Sequence, residues 1–310
     1  MPRVSSLKDL SPDAVAAIHA RKIEGAWDTR SLQKVLAELE AWDLAAESRK
    51  KTAKAMLWIG VVGALFSIVS FFFMLGEVDA WTTMLWPAGI AAAFVGTVVL
   101  GAKKSKTAQT MDLPDEIRTL IRPVVRQLSQ DLDPKQKMKV EIDLQRIIEN
   151  KPKSKQNLPP RAGATKLEQS LYEEPVCSIR MPLADGGEAV LRIGNEYSRT
   201  VKNYRGRSGK SKSKTKWKKY STVTGILAPA PGMNWRPERI ERFLDRKREK
   251  FEFVEKEGSR NARLDRYYKF SSIGDPPSNT APLEEVMQVF LRLALMRPPA
   301  AAPSQGGAGR

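Results

Sequence analysis

The chain has 310 residues, of which 42% are hydrophobic and 28% charged, so it is too apolar for a disordered protein. A single cysteine, Cys177, excludes an internal disulfide, and a single histidine, His19, excludes multi-histidine metal sites and most histidine-centred acid–base chemistry. The 52 Lys and Arg outnumber the 35 Asp and Glu, which gives a net charge of +17. This surplus favours partners with negative charge: nucleic acid, anionic lipid headgroups or an acidic protein surface.

Residues 1–54 predict a cytosolic arm of amphipathic helices. The run from Ser11 to Asp13 has the N-cap, first-turn proline and early acid of a helix start, and Gly25 is expected to close that helix. Apolar residues at helical spacing then predict a second helix that continues into an apolar run. Its stripe consists of Leu32, Val35, Leu36, Leu39 and Trp42. We expect this stripe to need a partner, either another protein or a second copy of the chain.

Two uncharged runs, residues 55–75 and 84–102, predict a hairpin of two membrane spans, because a helix of about 20 apolar residues crosses a bilayer core. Lysines flank the pair of runs, and the charged residues of the loop between the runs are all acidic, so both termini are predicted to be cytoplasmic. No acid, base or amide lies within either run, which favours an anchor over a transporter. The predicted interface residues are Lys54, Trp58, Trp81, Trp86, Lys103 and Lys104.

Short loops and ends rich in Ala, Arg and Pro favour a bacterial plasma membrane as the location. The long polar segment before the first run argues against a cleaved signal peptide. Small residues four positions apart within the runs, such as Gly60 and Ala64, would allow close approach of the two helices.

Residues 103–149 predict a cytosolic helical or mixed segment. The run from Asp112 to Glu116 has the proline and acids of a helix start, and the helix that follows is expected to kink near Pro123. Residues 134–149 alternate like a strand at first and have helical spacing later, so both interpretations stay open. Residues 150–165 have no periodicity and many helix breakers, which predicts a linker.

Residues 166–296 predict an α+β domain built on an antiparallel sheet. The predicted strands are residues 176–183, 188–194, 195–204, 217–228, 250–256 and 262–270. The first two form a hairpin across a turn from Asp185 to Gly187, a helix is expected near Pro237, and residues 297–310 predict a disordered tail. A closing helix over residues 282–296 has an expected inner face of Leu283, Val286, Met287, Phe290, Leu291 and Ala294.

The strongest candidate site is the basic run 199–219, in which ten of 21 residues are Lys or Arg and none is acidic. The residues predicted to bind an anionic partner are Arg199, Lys202, Arg205, Arg207, Lys210, Lys212, Lys214, Lys216, Trp217, Lys218 and Lys219. Five of these lysines alternate from Lys210 to Lys218, so an extended hairpin would place them on one face. Trp217 would add a ring that lies at a lipid interface or stacks on bases.

Anionic lipid is the nearest expected partner for this run, at about 1 kcal/mol per basic residue near the surface. Nucleic acid and a solvated hairpin tip without a ligand are the alternatives. A nucleotide-binding loop is excluded, because Tyr204 stands where that motif requires glycine.

The function predicted from these features is that of a non-enzymatic, membrane-anchored interaction or scaffold protein. A membrane tether for nucleic acid and an enzyme with unrecognised carboxylate or lysine chemistry are the alternatives. We assign no catalytic, cofactor-binding or metal-binding residue. Cys177 lies in an apolar strand without a nearby histidine and is expected to be a structural thiol.

Overall fold

The computed structural model describes residues 6–74, 80–128, 136–145, 151–159, 164–183, 186–229, 244–256 and 259–295. The chain forms two compact units. The first comprises Met1–Ala14 and Ala37–Leu113, and the second comprises Val15–Leu36 and Pro114–Arg310. The predicted helix near Pro237 and the predicted tail lie outside the described residues.

The N-terminal helices are α1 (Pro12–Ala20), α2 (Thr29–Met74) and α3 (Ala80–Met111). As the sequence predicts, α2 is continuous from the amphipathic arm into the first apolar run. Its apolar stripe is buried within the chain, and Leu36 and Leu39 have no exposed surface. The expectation that this stripe needs an external partner is therefore wrong, because the fold of the chain itself already removes it from water.

Helices α2 and α3 pack against each other at glycines in the first unit. A Cβ atom at Gly60 would lie 2.5 Å from Val98 Cγ2, and one at Gly63 would overlap the Phe94 ring. The partner residues in α3 fall in number as those in α2 rise, so the two helices are antiparallel. Small residues thus allow the close approach that the sequence predicts.

Helix α2 is long and apolar enough to cross a membrane, and among the described residues it is the one helix that is. Only 17% of its most apolar window is buried, whereas a core helix would be mostly buried. Its large exposed side chains are Trp58, Ile59, Val61, Val62, Leu65, Phe66, Ile68 and Val69. The predicted second run is also helical, but several of its side chains, and those of Trp81 and Trp86, lie outside the described residues.

The second unit contains one antiparallel sheet with the strand order β1-β2-β4-β5-β6-β8-β7, and β3 also pairs with β4. The strands are β1 (Lys22–Asp28), β2 (Lys137–Asp143), β3 (Ser154–Leu158), β4 (Lys166–Pro182), β5 (Glu188–Arg205), β6 (Ser211–Ala228), β7 (Glu249–Lys256) and β8 (Ser259–Ile273). An antiparallel sheet is what the sequence predicts for the C-terminal region.

Two strands lie where the sequence predicts none. Strand β1 occupies the end of the predicted first helix, which stops at Ala20 because Arg21 adopts a φ of 53° and turns the chain. Its seven residues pair with β2, and this pairing outweighs the local helix signal. Strand β3 lies inside the predicted linker and pairs with the outer half of β4.

Several other elements refine the predictions. Residues 137–143 form a strand with alternating burial, which decides the open question for the start of that segment. Strand β5 unites the two predicted strands 188–194 and 195–204, and β6 extends the predicted strand 217–228 back to Ser211 in the basic run. The predicted hairpins β4–β5 and β7–β8 are present, although Asp185 lies outside the described residues.

Helices cover one face of the sheet in this unit. A π turn (Ile117–Ile121) leads into α4 (Arg122–Leu128) next to Pro123, which has no N–H to continue an α-helical ladder. Helix α5 (Leu283–Leu295) packs on β6 and β8. Its buried residues are Val286, Val289 and Leu293. In the predicted inner face Val286 is buried and Leu283, Met287 and Phe290 are half-buried, whereas Leu291 is 63% exposed, so the prediction is wrong for Leu291.

Candidate functional site

Alternation along the strands gives the sheet two chemically different faces. On β5 and β6 the side chains of Ile193 and Val223 are buried on the face that α5 covers, which we call the covered face. Their neighbours Arg192 and Thr222 point to the opposite side, which we call the open face. The residues of the basic run that lie in β5 or β6 can therefore be assigned to a face by their position in the strand.

The basic run forms the outer ends of β5 and β6 and the turn between them. Four of the predicted lysines lie on the open face of β6, and we call them the lysine row: Lys212, Lys214, Lys216 and Lys218. The first three are exposed and the fourth is half-buried. Lys210 belongs to the turn, where its carbonyl accepts a hydrogen bond from Gly206 N. Alternate residues of a strand are about 7 Å apart, so the row is a regular line of charge.

The cross-strand neighbours of the lysine row are neutral or basic. Lys218 lies opposite Ser198 on β5 and Ser271 on β8, and Lys216 lies opposite Thr200 and Ile273. Lys214 lies opposite Lys202. No acidic residue lies directly opposite a member of the row in the strand register.

Apolar side chains are exposed beside the row on the same face. Ile273 is 68% exposed and Leu171 is 40% exposed. Tyr220 follows the row along β6, with the Lys269 ammonium 5.7 Å from its ring centroid. The open face at this end thus combines positive charge with apolar surface.

Trp217 does not present its ring to a ligand, in contrast to the prediction. It lies on the covered face, is 6% exposed, and forms an aromatic cluster with Tyr172 and Tyr197 at centroid distances of 5.6 and 6.4 Å. Its indole Nε1 donates a hydrogen bond to Gly274 O at 3.0 Å. The ring is part of the core because odd-numbered residues of β6 face inward.

Lys219 is also not on the surface, in contrast to the prediction, since it has no exposed area. Its ammonium donates to Glu116 Oε1 at 2.6 Å and lies 5.6 Å from the Tyr197 ring centroid. A buried charge needs such a partner to offset its desolvation. Glu116 precedes the π turn, so the pair joins the basic hairpin to the segment of the chain that leads into α4.

This ion pair belongs to a buried polar network that the sequence did not indicate. Asn195 donates to Glu174 Oε2 at 2.8 Å, Tyr197 donates to the same oxygen at 3.1 Å, and Ser221 donates to Asn195 Oδ1 at 2.7 Å. Burial, with the nearby Glu116 charge, raises the pKa of Glu174 to about 7. The one available sequence signal was that Lys219 is odd-numbered like Trp217 and Val223, which places it on the same face of the strand.

The remaining predicted residues occupy several environments. Arg199 is half-buried with its guanidinium 5.6 Å from the Trp217 ring centroid, and Lys202 lies on the open face. Arg205 and Arg207 are exposed near the turn. Among the predicted interface residues, those with described side chains are all exposed: Lys54, Trp58, Lys103 and Lys104.

Neither Cys177 nor His19 forms a reactive site with its described neighbours. Cys177 is buried, and burial raises the pKa of its thiol to about 12, so the thiol stays protonated. His19 is exposed near the end of α1. Comparisons of the chain with family models, with curated proteins and with solved structures found no match.

Proposed function

We propose that this chain is a non-enzymatic, membrane-anchored interaction protein whose lysine row binds the anionic headgroups of the leaflet next to it. The observation that carries the proposal is the open face itself, where three exposed lysines stand in line beside exposed apolar side chains. Such a surface suits a bilayer, which offers negative headgroups above an apolar layer.

The anchor in this proposal is a hairpin of two spans formed by the apolar parts of α2 and α3. The exposed apolar surface of α2 and the antiparallel contact at Gly60 and Gly63 support it. Lysines on both flanks favour cytoplasmic termini, and a bacterial plasma membrane is the proposed location.

Lipid is favoured over nucleic acid as the partner of the lysine row. A nucleic-acid surface would be expected to offer Trp217 for stacking, and that ring is in the core. An anchored domain is also held close to the leaflet, so headgroups reach a high effective concentration. With about 1 kcal/mol per basic residue, the three exposed lysines supply roughly 3 kcal/mol.

The test uses the full chain in nanodiscs, because the sheet includes β1 and β2 from outside the C-terminal region. A spin label is placed at I273C, which lies opposite Lys216, or at L291C, which is exposed on α5. The native Cys177 thiol is buried and protonated, so labelling is selective. Accessibility of each label to a water-soluble nickel complex is compared in anionic and zwitterionic nanodiscs.

We expect the label at position 273 to be protected in anionic nanodiscs alone, with protection lost in high salt, and the label at position 291 to stay accessible. Replacing the lysine row by Ser should abolish the protection. A matched control removes equal charge from four exposed lysines that pair with carboxylates: Lys153, Lys155, Lys166 and Lys250. Equal accessibility of position 273 in both lipids, or equal loss with the control, would reject the lipid proposal.

A further inference from the structure

A groove crosses the other half of the open face, over strands β1, β2, β4, β5 and β6. Two pockets of about 490 and 510 Å³ form it, and they share Glu141, Ser178 and Arg192. Pockets of this size hold small molecules. None of the lysine row lines either pocket, so the groove is a separate feature of the sheet.

The floor of the groove is bare backbone at Gly194. An added Cβ atom there would meet nothing within 4 Å, whereas the register places Pro175 and Thr222 on either side of it. Because every other residue type carries a Cβ, a glycine at this position leaves room in the sheet surface. The groove is therefore set by the sequence and can be filled by a single substitution.

The groove has an excess of positive charge. Five cations and three carboxylates line the two pockets: Arg21, Lys22, Lys139, Arg180 and Arg192, with Glu24, Glu141 and Asp143. Lys22 contacts both Glu24 and Glu141 at 2.9 Å, so these two carboxylates are already engaged. Neither Arg192 nor Lys139 forms an ion pair with any residue that the structure describes.

Arg192 has the central position and suitable neighbours. Ser178 and Thr224 lie directly opposite it on the two adjacent strands, and all three line the first pocket. The Thr224 hydroxyl donates to Asp265 at 2.6 Å, which leaves Ser178 and the nearby Thr222 as hydroxyl donors. A guanidinium with hydroxyls beside it matches a planar or tetrahedral oxyanion, which it can bind in bidentate fashion.

We propose that this groove binds a small phosphate monoester, with the phosphate on Arg192 and the hydroxyls of Ser178 and Thr222. A monoester carries close to two negative charges at neutral pH and offers three acceptor oxygens, so it matches Arg192 and Lys139, the two groove cations that form no ion pair with any described residue. Asp143 and Gln145 line the same pocket. The Asp143 carboxylate would accept a hydrogen bond from the alcohol part of the ligand, and the Gln145 amide could accept or donate one.

The experiment is a calorimetric titration of the full chain in zwitterionic nanodiscs with glycerol 3-phosphate, and with glycerol as the uncharged control. We expect saturable one-site binding of the phosphate ester alone. R192Q should weaken it about 10- to 100-fold, the usual effect of losing a charged hydrogen-bonding partner. G194V should abolish it by filling the floor, and K155S, an exposed position on β3 outside the groove, should leave it unchanged.

Both groove substitutions are on the open face, so thermal melts should confirm that each variant is folded. A second titration uses nanodiscs with phosphatidic acid, which presents the same monoester on a lipid. Loss of glycerol 3-phosphate binding there would assign the lipid as the source, and unchanged binding would assign a free ester. The absence of saturable binding, or binding that R192Q and G194V leave unchanged, would overturn the proposal. The titration with phosphatidic acid uses the variant whose lysine row is replaced by Ser, so neither outcome depends on the lysine row.

Discussion

The covered and open faces of the sheet contain the same residue types in opposite environments. Lys219 is buried against Glu116, whereas Lys216, three positions earlier, is exposed on the open face. Gly225 lies under α5, where a Cβ atom would come within 2.6 Å of Val289 Cγ1, whereas Gly194 opens into the groove. Residue type therefore does not define the role of a position in this sheet. The role depends on which way the strand directs the side chain.

The largest difference between the faces should come from the lysines. K219A would leave the Glu116 carboxylate buried without its cation, which costs about 3–5 kcal/mol. K216A removes an exposed charge and should change the free energy of unfolding by no more than about 0.5 kcal/mol. Chemical unfolding of the full chain in detergent, followed by near-UV circular dichroism, measures both. Equal effects of the two substitutions would contradict the assignment of Lys219 to the core.

The buried network should also make stability depend on pH. Burial raises the pKa of the Glu174 carboxyl from 4.5, its ordinary value, to about 7 in the folded protein. The folded state therefore binds this proton more tightly than the unfolded state. The contribution of this group to the free energy of unfolding is fully present below pH 4.5. It falls by roughly 3 kcal/mol as the pH rises from 4.5 towards 7. E174Q keeps an acceptor for Asn195 and Tyr197 and should remove that loss. Unfolding measured from pH 4 to 8 in both proteins tests this, and parallel pH profiles would contradict it.

The two glycines give a smaller contrast. G225A forces a methyl group against α5, and overpacking of this kind costs about 1–3 kcal/mol. G194A places the same methyl group in open space and should be nearly neutral for stability. Thermal melts of the two variants against the unchanged chain give the comparison. A destabilised G194A variant would mean that the groove floor is occupied.

The smallest expected effect on folding is that of the lysine row. Each Lys to Ser change should leave the melting temperature unchanged, since exposed substitutions away from special features have little effect. Each should nevertheless weaken the contact of the open face with the headgroups of anionic nanodiscs by about 1 kcal/mol. Protection of a label at position 273, measured for single and multiple substitutions, should fall stepwise. A single lysine that accounts for the whole effect would point to a discrete site in place of a diffuse charged surface.

Sequence patterns predicted the elements with strong local signals. The apolar run of α2 and the hairpin β4–β5 were predicted, because each pattern repeats within a few residues, whereas the alternation in β2 left helix and strand open. Strands β1 and β3 were missed, since each acquires its structure from partners far away in the chain. Their own residues carry no strong strand signal.

The candidate site was predicted in part for the same reason. Alternation correctly placed four lysines on one face of a hairpin, but it could not show which face points to the core. Trp217 and Lys219 were therefore included in the predicted surface although both are buried. Burial of Lys219 depends on Glu116, which is more than a hundred residues away in the sequence, so no local pattern reveals it. The groove likewise depends on register across five strands.

The pairing of β1 with β2 has a consequence for how the chain is made. All of α2 and α3 lies between these two strands in the sequence. During synthesis β1 therefore emerges long before its partner and must wait, unpaired, while both apolar helices leave the ribosome. The β1–β2 edge of the sheet can therefore form only after both helices have been synthesised. A chain in which synthesis stops within these helices would have β1 without its partner strand, and an unpaired strand edge promotes aggregation.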